Sequence, residues 1–557
     1  MSDHVCRRLI LFLDGTWNED DESHPATSVV HLRERLFWGL NARLRVAAES
    51  TKKQGRKAAV PNQDARDFAK LPAGFRKKGI SGYVFEGYEY LSFYDRGVGT
   101  GAYFDAIKGG MFGDGLDQNI REAYRFLCTW YRPGDEIFVY GFSRGAFTAR
   151  SLCGYLQAVG LLRCEHCTPE NEAKAWAYYR TPPGDRLSGV WSQFRRALDP
   201  SGDTLVHDSR YMRVRLLGIF DTVGALGIPE NAFRKINQTK YGFHDTEINS
   251  LVDIRLHAVA LDEPRHAFGP TMWTKPKFKV TDPDKSPTEQ VWFAGAHSDV
   301  GGGYVNWTVA GTRGLSTLPL AWMLQRTRQL VTQTRYIADP MPVKPAVDPN
   351  PNAPVPFFDF DLLDDKHAIN PKLRELAATA EQHMPWAPLY LFYPRNRRVI
   401  NQMVPPNQPA LESTGRVAFA DPICEFIHAS ALERFNQDVR DDKGRLLNGI
   451  ARLLRLSRRY RPGNLIDVIP YVAATYVRNK NVATPWRGIA VPIFTWKEMR
   501  IVDWSGRALD PAKDDDAKRA FALLPKPGDI GVLTTPAAMA LIRDPRVPLP
   551  VVAVPAK

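Results

Sequence analysis

The stretch IFVYGFSRGAFTAR, residues 137 to 150, decides the fold. Ile137 to Tyr140 is a short apolar run that reads as a buried strand, and the chain from Ala146 reads as a helix. Between them lies Gly141-Phe142-Ser143-Arg144-Gly145, a GxSxG turn with serine at its apex. A turn this sharp brings strand and helix backbones together, which is why glycine stands at 141 and 145. The geometry lifts Ser143 Oγ out of the sheet edge. It also leaves the Arg144 amide at a helix N-terminus, where an orphan N–H and the helix dipole can hold a developing oxyanion.

A nucleophilic serine needs a base and an orienting acid, and after a GxSxG elbow these follow in the order acid, then histidine. Val214 to Phe220 reads as a second buried strand, ending in Asp221. Val291 to Gly295 reads as a third, leading into Ala296, His297, Ser298 and Asp299, then into the glycines 301 to 303. Ser143 as nucleophile, Asp221 as acid and His297 as base is the resulting assignment. Asp245, Asp253 and above all Asp262 also precede His297, and His428 is a second histidine in an apolar setting. Each has a bland alternative: a turn serine, a capping aspartate, a core histidine. The glycine run favours His297, because an active-site loop needs close backbone approach.

Leu9 to Leu13 forms another short strand, and Asp14-Gly15-Thr16 turns at its carboxyl end. The second oxyanion donor is expected from the Gly15 or Thr16 amide. A phosphatase with a DxDGT motif is the competing reading. Phe12 occupies the place of that nucleophile, which leaves Asp14 to cap the turn or bind a cation, capping being the simpler role.

From residue 7 to about 330, strands and helices alternate, which predicts an α/β fold with a mostly parallel sheet and helices on both faces. The catalytic domain is drawn at 1 to 336, with insertions at about 41 to 85 and 164 to 213. The second insertion, with Trp176, Tyr178, Tyr179 and Trp191, stands where a cap or lid would lie. A Pro-rich linker at 337 to 359 leads to a C-terminal accessory region, 360 to 557. The six cysteines are scattered, as in a protein made in a reducing cytoplasm, and the Cys164/Cys167 pair around His166 reads as structural. The net charge is +13. Basic residues cluster at 52 to 78 and along an amphipathic pattern at 445 to 459, which either meets an anionic membrane surface or packs on the catalytic domain. No nucleic-acid-binding motif accompanies the charge. Neither a signal peptide nor an apolar run of about 18 residues is visible.

Six blocks together resemble a known family: LFLDGTWN at 11 to 18, YDRGVGTG at 94 to 101, NIREAYRFL at 119 to 127, GFSRGA at 141 to 146, GIFDTVGALG at 218 to 227 and AGAHSDVGGGY at 294 to 304. In this order they are similar to the DUF2235 α/β-hydrolases, which include the Tle1-type phospholipase effectors of type VI secretion. The resemblance implies a serine esterase with Ser143, Asp221 and His297 as its triad and no cofactor or metal. It further implies a phospholipase A acting on bacterial membrane phospholipids as an antibacterial effector. Such a protein would be cytoplasmic in its producer and exported to the target periplasm, with a secretion-spike adaptor and an immunity protein as partners. The alternative is a soluble carboxylesterase without lipolytic activity, or an inactive hydrolase-fold binding protein.

Overall fold

The computed structural model describes residues 6–15, 26–36, 79–85, 88–97, 112–187, 189, 191–198, 205–208, 212–223, 250–265, 268–273, 288–304, 314–333, 380, 382–383, 398, 400, 425–434, 460, 462, 464–465 and 500–502. The chain forms two compact units: Met1–Leu256 with Pro276–Pro287 and Arg326–Asp361, and His257–Lys275 with Thr288–Gln325 and Leu362–Lys557. This division is not collinear with the boundary read at 336.

The first unit holds β1 (Cys6–Leu13), β2 (Gly79–Phe85), β3 (Tyr88–Asp95), β4 (Glu136–Phe142), β5 (Val214–Phe220) and the first part of β6 (Val252–Ala260), in the order β2-β3-β1-β4-β5-β6. The pairs β1/β3, β1/β4 and β4/β5 are parallel, and β2 pairs antiparallel on β3. This is the α/β class with a mostly parallel sheet that the alternation predicts. Every residue of β4, β5 and β6 is buried, so both faces of these strands are covered; β4 and β5 are mostly apolar runs, whereas β6 alternates apolar residues with buried Asp253, Arg255 and His257. Residues 79 to 85, read as the end of an insertion, supply the edge strand β2. At the N-terminal ends of β1 and β4, Arg7 pairs with Asp135 at 2.9 Å and Arg8 with Glu136 at 2.7 Å, all four residues buried.

Helix α1 (Phe112–Trp130) buries Leu116, Ile120, Ala123, Tyr124 and Leu127, the spacing of one helical face. Helix α2 (Arg144–Val159) is buried on nearly all sides. The 164 to 213 insertion contains α3 (Pro169–Arg180) and α4 (Trp191–Ala197). Thr168 caps α3 by accepting the Asn171 amide, with Pro169 at the first helical position. The Tyr155 ring of α2 lies 4.0 Å from Tyr124, 5.0 Å from Tyr179 and 5.3 Å from Trp176, measured between centroids. Buried Glu172 takes two hydrogen bonds from Arg121, at 2.9 and 2.6 Å. Helix α3 of the insertion is thereby fastened to α1 and α2.

The second unit takes the end of β6, then β7 (Thr288–Phe293), β8 (Glu425–His428) and β9 (Arg500–Val502), in the order β6-β7-β8-β9. The pairs β7/β8 and β8/β9 are parallel. Its helices are α5 (His297–Gly301), the first part of α6 (Thr317–Gln333), and α7 (Ala429–Arg434). The region read as accessory thus contributes two strands to this unit. The Pro-rich stretch and the basic pattern at 445 to 459 lie outside the described residues. Among the described residues, no helix is long and apolar enough to cross a membrane.

Candidate active site

Ser143 directly follows β4, at φ 56° and ψ −120°, in a region that residues with a side chain rarely adopt. The turn leaves no space for side chains on its glycines. A Cβ on Gly141 would stand 2.7 Å from the Gly145 carbonyl oxygen, and one on Gly145 would stand 2.1 Å from that of Leu13. Ser143 makes no side-chain capping bond to α2, and the first turn of that helix carries no acidic residue to offset its dipole. The Arg144 amide stands at the N-terminus of this helix, as the sequence predicts.

Asp221 directly follows β5, fully buried, at φ 38°. Ser143 and Asp221 are the two residues other than glycine with positive φ among the described residues. Backbone strain of this kind costs about 1–3 kcal/mol per residue and persists where a site over-determines it. The two positions are neighbours: Phe142 is in register with Phe220, and the Ser143 amide donates to the Phe220 carbonyl at 3.1 Å.

Gly15 faces Ser143 closely enough that a Cβ there would stand 3.2 Å from Ser143 Cβ. Its amide, however, donates to Asp14 Oδ1 at 2.7 Å. Asp14 is fully buried, and its carboxylate also accepts the hydroxyls of Thr27, at 2.8 Å, and Tyr94, at 2.9 Å. Asp14 therefore holds its own turn. Phe12, where a phosphatase nucleophile would stand, is a core residue stacked on Tyr140. Thr16 lies outside the described residues.

His297 opens α5, directly after the β7 turn. Its ring meets Phe268 edge-on at 5.1 Å. Phe268 lies under the Arg265 guanidinium, which bonds Glu263 at 2.6 and 2.9 Å. Desolvation would raise the Glu263 carboxyl, but Arg265, together with Arg398 and His297, outweighs it and holds the group below its ordinary value. Three successive amides here each donate to a different carboxylate: Gly295 to half-buried Asp262 at 2.7 Å, Ala296 to buried Asp299 at 3.0 Å, and His297 to buried Glu263 at 3.2 Å. Glu263, Arg265 and Phe268 carried no motif in the sequence. Only their lying just past the end of a buried strand, in LDEPRHAF at 261 to 268, could have flagged them.

The rival residues are engaged elsewhere. Asp253, near the start of β6, pairs with Arg213 at 2.7 Å. His428 stacks on Phe293 at 4.6 Å and bonds Ser430 through Nδ1 at 2.7 Å. Asp245 lies outside the described residues. Asp262 accepts the Tyr460 hydroxyl at 2.8 Å beside its bond from Gly295, and burial pushes its carboxyl from 3.8 up to about 6. A carboxyl raised in this way contributes stability that is full below about pH 4 and is lost as the pH rises through 6. Asp262→Asn keeps an acceptor for both donors without that loss. Its stability relative to the parent is expected to rise between pH 4 and 7, by on the order of 3 kcal/mol at most, in denaturant titrations across that range. A difference independent of pH would refute the assignment.

Among the described residues no group of three or more His, Cys, Asp or Glu side chains could hold a metal ion. Cys164 is exposed, whereas Cys167 is hydrogen-bonded to buried Cys128, a pairing absent from the sequence reading.

An uncharacterized protein of Saccharomyces cerevisiae, YEL023C, is 30% identical over 195 residues, which is 32% of this chain and 27% of the yeast protein. Two solved structures share a weaker likeness. A Tle1 effector bound to the VgrG spike of the type 6 secretion system has 18% identity and a TM-score of 0.25, over 54% of this chain and 51% of that one. An uncharacterized protein from Pseudomonas aeruginosa has 17% identity and a TM-score of 0.22, over 57% and 44%. The chain thus spans about half or less of the length of each of these relatives. A family model described as "T6SS, Phospholipase effector Tle1-like, catalytic domain" matches residues 7–326, more than half of the chain and all six blocks quoted above. The chain belongs to the Tle1-like family of type VI secretion phospholipase effectors.

Proposed function

We propose that this protein is a serine esterase of the phospholipase A class, cleaving acyl esters of bacterial membrane phospholipids as an exported antibacterial effector. The observation that carries the reading is the strained Ser143 apex, with no side-chain capping bond, between glycines that admit no Cβ. Family membership supports the lipid substrate and the type VI route. Ser143 is the nucleophile, His297 the general base, and Asp221 the acid that fixes the imidazole tautomer and stabilises its protonated form. The strain shared by Ser143 and Asp221 favours Asp221 over Asp262, whose carboxylate is taken up by Gly295 and Tyr460. The Arg144 amide is the first oxyanion donor. With the Gly15 amide committed to Asp14, the Thr16 amide is the better second donor. The net charge of +13 suits an anionic bilayer. A secretion-spike adaptor and an immunity protein are the partners this role requires.

The test is release of fatty acid from phosphatidylethanolamine and phosphatidylglycerol vesicles with position-labelled acyl chains. Labelled fatty acid is expected, and the label names the position cleaved. Turnover of a short-chain ester without release from vesicles would leave a soluble carboxylesterase. Silence on both would leave a binding module.

A further inference from the structure

The stretch from Gly295 to Tyr304 turns sharply on either side of α5, with Gly295, Gly302 and Gly303 all at positive φ, 114°, 81° and 105°. One residue outside the loop grips it twice. His383 donates its backbone amide to Asp299 Oδ2 at 3.1 Å and bonds Asp299 Oδ1 through Nδ1 at 2.7 Å. Its ring also lies flat on Tyr304, 3.9 Å away at an interplanar angle of 15°. Asp299 in turn accepts the Ala296 amide at 3.0 Å, immediately before His297. Gly295 packs so tightly beneath it that an added Cβ would stand 2.4 Å from Asp299 Cβ. His383 therefore meets the loop near its start, through a carboxylate in the turn that carries His297, and at its end, through Tyr304. It lies 84 residues beyond Asp299 and past residue 326, where the family's catalytic-domain match stops.

We propose that His383 is a positioning residue: with Asp299 and Tyr304 it holds the 295 to 304 loop, and through it sets the placement of His297. The inference rests on His297 being the general base. Burial raises the Asp299 carboxyl, and the bond from the part-exposed His383 ring opposes that rise, so the two side chains form a matched pair.

The test compares three substitutions at 383 in the full chain, with a short-chain ester so that membrane binding does not enter. His383→Asn places an amide N–H close to where Nδ1 stands. His383→Gln carries the same group one methylene further out, and His383→Phe keeps the stack on Tyr304 and the backbone amide bond to Asp299 but loses the bond through Nδ1. The Phe and Gln variants are expected to lose roughly 10–100-fold in kcat with KM within about twofold, and Asn to restore most of it. Asp299→Asn combined with His383→Phe is expected to cost no more than the worse single change, because the pair acts as a unit. Equal activity of the Asn and Gln variants, or a loss confined to KM, would overturn the proposal. Ser143→Ala is assayed in parallel. Activity surviving it sinks both this inference and the esterase mechanism, whereas Ser143-dependent activity indifferent to residue 383 sinks this inference alone.

Discussion

Ser143→Ala is expected to lower ester turnover by at least about 10⁴-fold, because it removes the only atom that forms the acyl intermediate while leaving the oxyanion donors in place. The fold is expected to survive. Serine at a helix N-cap commonly contributes about 1 kcal/mol through its side-chain bond, but Ser143 makes no such bond, so nothing of that kind is lost. The strained φ of 56° is retained by alanine, so the substitution neither relieves nor adds backbone cost. Two measurements check this: initial rates on the ester and on labelled vesicles, and the thermal unfolding midpoint, expected within a few degrees of the parent. Residual hydrolysis within tenfold of the parent would remove Ser143 from the mechanism.

Gly145→Ala is expected to damage stability and activity together. Its Cβ would meet the Leu13 carbonyl oxygen at 2.1 Å and that of Asp14 at 2.5 Å, and both are backbone atoms with no rotamer to escape into. Either α2 must withdraw from β1, or the end of β1 must move and take the Asp14 turn with it. A cost of about 3 kcal/mol follows from overpacking of this kind, lowering the unfolding midpoint by roughly 5 °C. Activity is expected to fall at least about 100-fold, since the same displacement shifts Gly15, which abuts Ser143. Gly184→Ala is the control, because a Cβ there meets nothing within 4 Å. Equal melting behaviour of the two variants would show that the elbow is not sterically closed.

The elbow was legible because its determinants are local. An apolar strand, two glycines four residues apart and a helical run suffice to specify a turn, and none needs a distant partner. The burial of β4 and β5 was legible for the same reason, as each lacks the alternation of a half-exposed strand, whereas β6 alternates Asp253, Arg255 and His257 with apolar residues and is buried all the same. The edges of the sheet were not. Residues 79 to 85 sit at the end of a stretch rich in basic residues, and β8 and β9 come from 425–428 and 500–502, too short to declare themselves without the strands they pair with.

Sequence alone determined which serine stands at the apex of the strand-to-helix turn and the mostly parallel α/β class, since these depend on spacing along the chain. Tertiary structure decided how the polar residues are spent. It commits the Gly15 amide to Asp14, Asp253 to Arg213, His428 to Phe293 and Ser430, and Asp262 to Gly295 and Tyr460. It also brings His383 onto Asp299 and Tyr304, a contact no motif announces. The reason is physical: a buried polar group must find a partner wherever the fold supplies one, and that partner need not be near it in the chain.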